Sequence, residues 1–189
     1  MPDLDEKSWA DAIDMYARRY SIAKVTTRKH EDWALDVSHL MHGDTADARG
    51  WRTVDFHAGE FERLDDPSYP FTRIPGDRMT TEEWKRRLHE IPRSSVARLL
   101  VVLSTQWLNV EDEERFDERR PGLEKNADVI LSRFPAGSRF FANAGYRSPT
   151  PDYYERISGV TTFSRNDWDV GLFLVSDSEV GMVWSFDPR

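Results

Sequence analysis

The pattern of apolar and polar positions is most regular near the C-terminus. Residues 170–175 and 180–186 are rich in β-branched and aromatic side chains, and the polar residues 176–179 separate them. Two such runs joined by a short polar loop predict a β-hairpin. The second run places four large apolar residues on one face of its strand: Val180, Met182, Trp184 and Phe186. Gly171 and Gly181 indicate a close backbone approach or a bulge.

Apolar residues spaced three or four positions apart predict three helices. The first follows Ser8, whose hydroxyl can cap it. The second begins at a capping box formed by Thr80 and Glu83 and ends before Pro92, because proline interrupts helical hydrogen bonding. The third spans residues 123–134 and is followed by a proline and a glycine.

Further strands are predicted in the middle of the chain. Residues 51–58 alternate between polar and apolar, and residues 139–143 form a short apolar segment. Residues 99–103 are a continuous apolar run, which favours a strand buried on both faces. Residues 21–42 fit either a strand or a helix. This order of elements predicts an α+β fold: a mixed or antiparallel sheet with about three helices packed on it and a C-terminal β-hairpin.

The length of the chain suits one domain. With 189 residues, we expect residues 1–189 to form a single α+β domain. Residues 65–78 are the one place where a subdivision is suggested, since Pro67, Pro70 and Pro75 predict a long loop there. Loops of this length are uncommon and are often functional.

Composition and charge narrow the classes of function. The chain has no cysteine, which excludes disulfides, cysteine-based zinc sites, iron–sulfur clusters and thiol nucleophiles. Asp and Glu outnumber Lys and Arg by 34 to 26, so a nucleic-acid partner is not expected. No apolar run is long enough to span a membrane, and residues 1–6 lack the features of a secretory signal. We therefore expect a cytoplasmic protein with no membrane partner.

Motif searches assign no catalytic residue and no cofactor. The chain lacks glycine-rich phosphate loops and the nucleophile elbow of hydrolases. The candidate metal ligands are His39, His42, Asp44 and His57. On a helix, His39 and His42 would be three positions apart and able to share a metal, although no HExxH motif is present. These residues define one alternative function, a small hydrolase or nuclease with a histidine–carboxylate site, with or without a metal.

Two acidic segments are the candidate partner-binding residues. Acidic residues cluster from position 111 to 118, and Trp168 lies between two aspartates. Tryptophan often dominates interface energies, and carboxylates steer basic partners towards a surface. The six residues expected to bind a partner are Glu111, Asp112, Glu113, Asp167, Trp168 and Asp169.

The net charge of −8 and the seven tryptophans predict an acidic binding protein. We expect an inhibitor or immunity-type protein that neutralises a basic protein partner such as a toxin. In composition, the chain resembles the immunity proteins of bacterial toxin systems. A further alternative is a self-associating regulatory domain, in which the C-terminal hairpin offers an edge strand to another copy.

Overall fold

The computed structural model describes residues 4–18 and 20–187. Its helices are α1 (Glu6–Ile13), α2 (Trp33–His42), α3 (Phe61–Asp65), α4 (Thr81–Lys85), α5 (Arg93–Val102) and α6 (Phe116–Ser132). Its strands are β1 (Ser21–Thr27), β2 (Val54–Asp55), β3 (His89–Glu90), β4 (Arg139–Ala142), β5 (Trp168–Val175) and β6 (Glu179–Asp187). None of the helices in this part of the chain has the length and apolar character needed to cross a membrane.

The strands form one antiparallel sheet in the order β2–β1–β6–β5–β4–β3. The predicted hairpin is confirmed as β5 and β6, which pair from Val175 with Val180 to Trp168 with Asp187. Both hairpin strands are central, because β6 also pairs with β1 and β5 also pairs with β4. The expectation that the hairpin offers a free edge to another copy is therefore wrong.

Side chains on the two faces of the sheet form separate hydrophobic clusters. Helices α1, α5 and α6 cover one face, where Val183 points. Helices α2 and α4 cover the other face together with Phe71 and Ile74, which belong to the proline-rich segment. The period-two pattern of β6 is confirmed, since the four large residues of its sequence all lie on the second face. The α+β prediction is thus confirmed, with helices on both sides of an antiparallel sheet.

Gly171 is required by a close approach within the hairpin. It lies opposite Trp184 across the β5–β6 pair. A Cβ atom at Gly171 would lie 1.8 Å from the indole of Trp184, which is fully buried. The group that approaches Gly171 is therefore a side chain rather than a backbone, and the missing side chain of Gly171 provides the space that the indole fills.

Four predictions for individual elements need correction. The helix that begins at the Thr80–Glu83 capping box ends at Lys85 rather than before Pro92, and residues 89–90 form β3. Leu88 and Ile91 are buried, but they lie outside the helix. Residues 99–103 are not a strand but the C-terminal part of α5 and the residue after it, all fully buried. A wholly apolar run shows no period, so it fits a buried helix as well as a buried strand. The strand predicted at 51–58 is limited to β2. The N-cap of α1 is Asp5 rather than Ser8: the carboxylate of Asp5 caps the helix, and Ser8 completes the capping box.

A buried ion cluster joins α6 to the hairpin. Arg133 follows α6 and is 0% exposed at its side chain. Its guanidinium forms ion pairs at 3.0 Å with Asp47 and with Glu179 at the start of β6. The same group lies 4.5 Å from the ring centre of Trp9 and 5.3 Å from that of Trp51. This arrangement satisfies a buried cation with two carboxylates and two aromatic faces.

Candidate partner-binding groove

Three of the predicted partner-binding residues line one concave surface. Asp112, Asp167 and Trp168 come together with Trp107 around a cavity of about 690 Å³, which we call the tryptophan groove. Trp107 and Asp112 belong to the loop after α5, whereas Asp167 and Trp168 lie at the start of β5. Ile157, from the loop that precedes β5, also lines the groove. The groove therefore has aromatic walls, an aliphatic wall and two carboxylates.

Short polar contacts hold the loop that carries Asp112. The amide of Asn109 donates to the carboxylate of Asp112 at 3.0 Å, and its oxygen accepts from the backbone of Glu111 at 3.2 Å. Leu108 is buried and anchors the loop to the core beneath α5. Trp107 is 36% exposed beside this anchor, so part of its indole faces solvent. The loop thus presents an aromatic ring and a carboxylate in a defined arrangement.

A second cavity of about 790 Å³ adjoins the groove and shares Asp112 with it. Glu113 lines this cavity, but its side chain is only 11% exposed. Its carboxylate pairs with Arg119 and accepts from the backbone of Gln106 at 3.0 Å. Glu113 therefore holds the loop in place, while the acids on either side of it, Glu111, Asp112 and Glu114, are exposed.

Asp169 does not lie on the surface as expected. It is 0% exposed and accepts hydrogen bonds from the backbone of Ser164 at 2.7 Å and Phe163 at 3.1 Å. The amide of Asn143 donates to its other oxygen at 3.1 Å. Burial raises the pKa of Asp169 above its usual value, although these hydrogen bonds act in the opposite direction. The carboxylate orders the turn that positions Asp167 and Trp168, and it is not available to a partner.

Helix α3 exposes two apolar side chains that the sequence reasoning missed. Phe61 is 74% exposed and Leu64 is 72% exposed, and the two are three positions apart on one side of the helix. Between them, Arg63 turns inward and pairs with the buried carboxylate of Asp55 at 2.6 Å. It also donates to the backbone oxygen of Tyr69 at 2.8 Å. The exposed pair is thus fixed on an anchored helix, at a spacing visible in the sequence.

An ion pair connects the segment after α3 to the strand end that forms the groove. Asp66 pairs with Arg165 at 3.0 Å, and Arg165 precedes Asp167 by two residues. The backbone of Arg165 also donates to the oxygen of Pro70 at 2.9 Å. Helix α3 and the start of β5 are therefore joined through one packed segment.

The four candidate metal ligands do not converge on one site. His39 lies 3.6 Å from Asp44 beside a cavity of about 380 Å³, whereas His42 lies 3.6 Å from Asp77 and also contacts the oxygen of Ser38 at 2.7 Å. Within residues 4–18 and 20–187, no group of three or more histidines and carboxylates has the arrangement of a metal site. These residues therefore supply separate polar contacts around α2.

His57 lies apart from the other histidines, in a buried aromatic environment. Its Nδ1 atom is 3.1 Å from the carboxylate of Glu60, and its Nε2 atom is buried with no hydrogen-bond partner in the described chain. Four rings surround the imidazole, those of Tyr20, Phe56, Tyr69 and Phe186. Burial lowers the pKa of His57 below its usual value, although Glu60 acts in the opposite direction.

Comparisons with known proteins identify no relative: no family, no curated protein and no solved structure matches this chain.

Proposed function

We propose that this chain is an acidic cytoplasmic binding protein of the inhibitor or immunity type, which neutralises a basic protein partner such as a toxin. The observation that carries the proposal is the tryptophan groove. Two segments separated by more than fifty residues contribute an aromatic ring and a carboxylate each to the same concave surface. Such a combination provides both burial for a partner side chain and complementarity to its charge.

The charge of the protein supports a basic partner. The net charge is −8, and exposed acids at positions 111, 112 and 114 lie beside the groove. An acidic field of this kind raises the rate at which basic partners associate, and salt weakens that effect. The aromatic rings then supply contact area once the partner has docked.

Helix α3 supports a second contact with the same partner. Contiguous exposed apolar groups often mark interaction sites, and Phe61 and Leu64 are the two most exposed large apolar side chains in the described residues. Glu62 and Asp65, both exposed, flank them. This surface suits an apolar pocket with a basic rim.

The enzymatic alternative has less support, because its candidate residues are dispersed or buried. It stays a prediction that metal analysis and hydrolase or nuclease assays of the purified protein would test. The self-associating alternative also stays a prediction, without the hairpin edge that motivated it. Measurement of molar mass across a range of concentrations would test it.

The proposal is tested by capturing partners from the lysate of the native host at low and moderate salt. Wild type is compared with Asp167→Lys and with Asp177→Lys, which makes the same charge change in the hairpin turn. That turn lies at the opposite end of β5 from Trp168, about 23 Å away at 3.3 Å per residue. We expect wild type and Asp177→Lys to retain one basic protein near one-to-one, and Asp167→Lys to lose it. Equal retention by all three variants would contradict the proposed surface.

A further inference from the structure

The tryptophan groove combines chemical groups that together favour a planar cation. Trp107 and Trp168 contribute indole rings to the lining, and Asp112 and Asp167 contribute carboxylates, in one cavity of about 690 Å³. Aromatic faces attract cations, and carboxylates accept hydrogen bonds from guanidinium groups. An apolar occupant would desolvate the two carboxylates without replacing their hydrogen bonds, which is unfavourable. An anionic occupant would meet the same carboxylates as like charges.

The protein holds one of its own arginines by the same combination of groups. The guanidinium of Arg133 lies over the rings of Trp9 and Trp51, and it pairs with Asp47 and Glu179. Guanidinium is preferred over ammonium in such sites because it is planar, is more weakly hydrated and donates in fixed directions. The internal cluster is therefore an example, within the same protein, of two indole rings and two carboxylates that bind one guanidinium.

We propose that the tryptophan groove is a binding site for one arginine side chain of the partner. The guanidinium lies against the indole rings and donates hydrogen bonds to Asp112 and Asp167, while Ile157 contacts the methylene groups. This assignment rests on the proposed function, because it names the group by which the basic partner is recognised. Arg156 also lines the groove and is the one cation among the described residues of that lining, so its charge opposes the ligand.

The site is tested with blocked tripeptides as defined probes, in which the central residue is arginine, lysine or citrulline. Citrulline has nearly the shape of arginine but carries no charge. Each peptide is titrated into ¹⁵N-labelled full-length protein at low salt, and the indole N–H signals are followed by NMR. We expect the arginine peptide to shift the signals of Trp107 and Trp168, and to bind about tenfold more tightly than the citrulline peptide, as expected for loss of charge-assisted hydrogen bonds.

Charge variants at exposed positions separate the groove from other acidic surfaces. Asp112→Asn and Asp167→Asn should each weaken arginine binding several-fold, whereas Asp177→Asn in the hairpin turn should leave it unchanged. Arg156→Gln should tighten binding, because it removes the opposing charge. Equal affinity for arginine and citrulline, or unchanged binding by Asp112→Asn and Asp167→Asn, would overturn the assignment.

The peptide titration tests the arginine site, and the capture of partners tests the proposed function, so a wrong site and a wrong function give different results. Arginine-specific binding that depends on Asp112 and Asp167 supports the site even if no protein partner is captured, and the proposed function would then be wrong. Loss of partner capture in Asp167→Lys, together with equal binding of arginine and citrulline peptides, would keep the proposed function and overturn the arginine site.

Discussion

Replacement of Arg133 by methionine tests how the hairpin is joined to the helices. Methionine fills much of the same volume but leaves the carboxylates of Asp47 and Glu179 without their shared cation. Both side chains are buried, with 2% and 7% exposure. Loss of one partner from a buried ion pair costs about 3–5 kcal/mol, because the other charge stays desolvated.

Three remaining contacts limit the cost to that range. Asp47 keeps hydrogen bonds from the backbone of Arg49 and Trp51 at 2.9 and 3.1 Å, and the side chain of Arg49 still reaches Glu179 at 3.0 Å. We therefore expect Arg133→Met to lower the free energy of unfolding by about 3–5 kcal/mol. For a chain of this length, this corresponds to a fall in Tm of roughly 6–20 °C.

The assay is urea unfolding followed by tryptophan fluorescence, with Arg139→Met as the matched control. Arg139 pairs with Glu90 in two parallel hydrogen bonds, but the side chains are 58% and 50% exposed. Loss of an exposed pair costs at most about 1 kcal/mol. The double variant Arg133→Met/Glu179→Gln should recover part of the loss, since it removes a buried charge that has lost one of its two guanidinium partners. Equal losses of stability in Arg133→Met and Arg139→Met would mean that the buried ion cluster contributes no more to stability than an exposed ion pair.

Three further predictions concern the hairpin, the buried histidine and α3. Gly171→Ala should destabilise the fold by about 1–3 kcal/mol or more, because the added methyl group would overlap the indole of Trp184. Gly122→Ala lies in a helix with open space around it and should stabilise the fold by about 0.5–1 kcal/mol. Thermal unfolding measures both effects. Burial lowers the pKa of His57, so the unfolded chain binds a proton at this residue more readily than the folded chain does. The free energy of unfolding should therefore fall as the pH drops below the pKa of His57 in the unfolded chain, about 6.5. His57→Gln should make the free energy of unfolding less dependent on pH between about 7 and 5. A pH dependence as steep as that of wild type would contradict this. Phe61→Ser with Leu64→Ser should change the free energy of unfolding by no more than about 0.5 kcal/mol, because both side chains are exposed. The same double variant should weaken partner binding, which the yield of captured partner measures against wild type.

Elements marked by a regular spacing of apolar residues or by a capping motif were predictable from the sequence. A uniformly apolar run was not. The hairpin, its apolar face and the Thr80–Glu83 capping box all follow from local patterns that the structure confirms. The run at 99–103 was assigned to a strand because uniform apolarity carries no period. Pro92 was taken as the end of a helix, but it is the N-cap residue at the start of α5, a position where proline is tolerated, and the preceding helix ends at Lys85.

The composition of the groove was only partly accessible from the sequence. Asp112, Asp167 and Trp168 were candidates because each stands in an acidic or aromatic context, but their meeting depends on how the loop after α5 packs against the start of β5. Local patterns contain no information about such long-range contacts. Asp169 was a candidate for the same reason, because its acidic neighbours suggested an exposed position. It is buried instead, since its carboxylate accepts hydrogen bonds from the backbone of residues 163–164.

The most direct test of the central claim is the rate of association with the captured basic partner at several salt concentrations. We expect Glu111→Lys/Asp112→Lys to slow association and to make it less dependent on salt, because these exposed acids steer the partner towards the groove. Asp177→Lys, in the hairpin turn, should associate nearly as fast as wild type with a similar salt dependence. If Glu111→Lys/Asp112→Lys behaves like Asp177→Lys, the tryptophan groove and its acidic rim are not the binding surface.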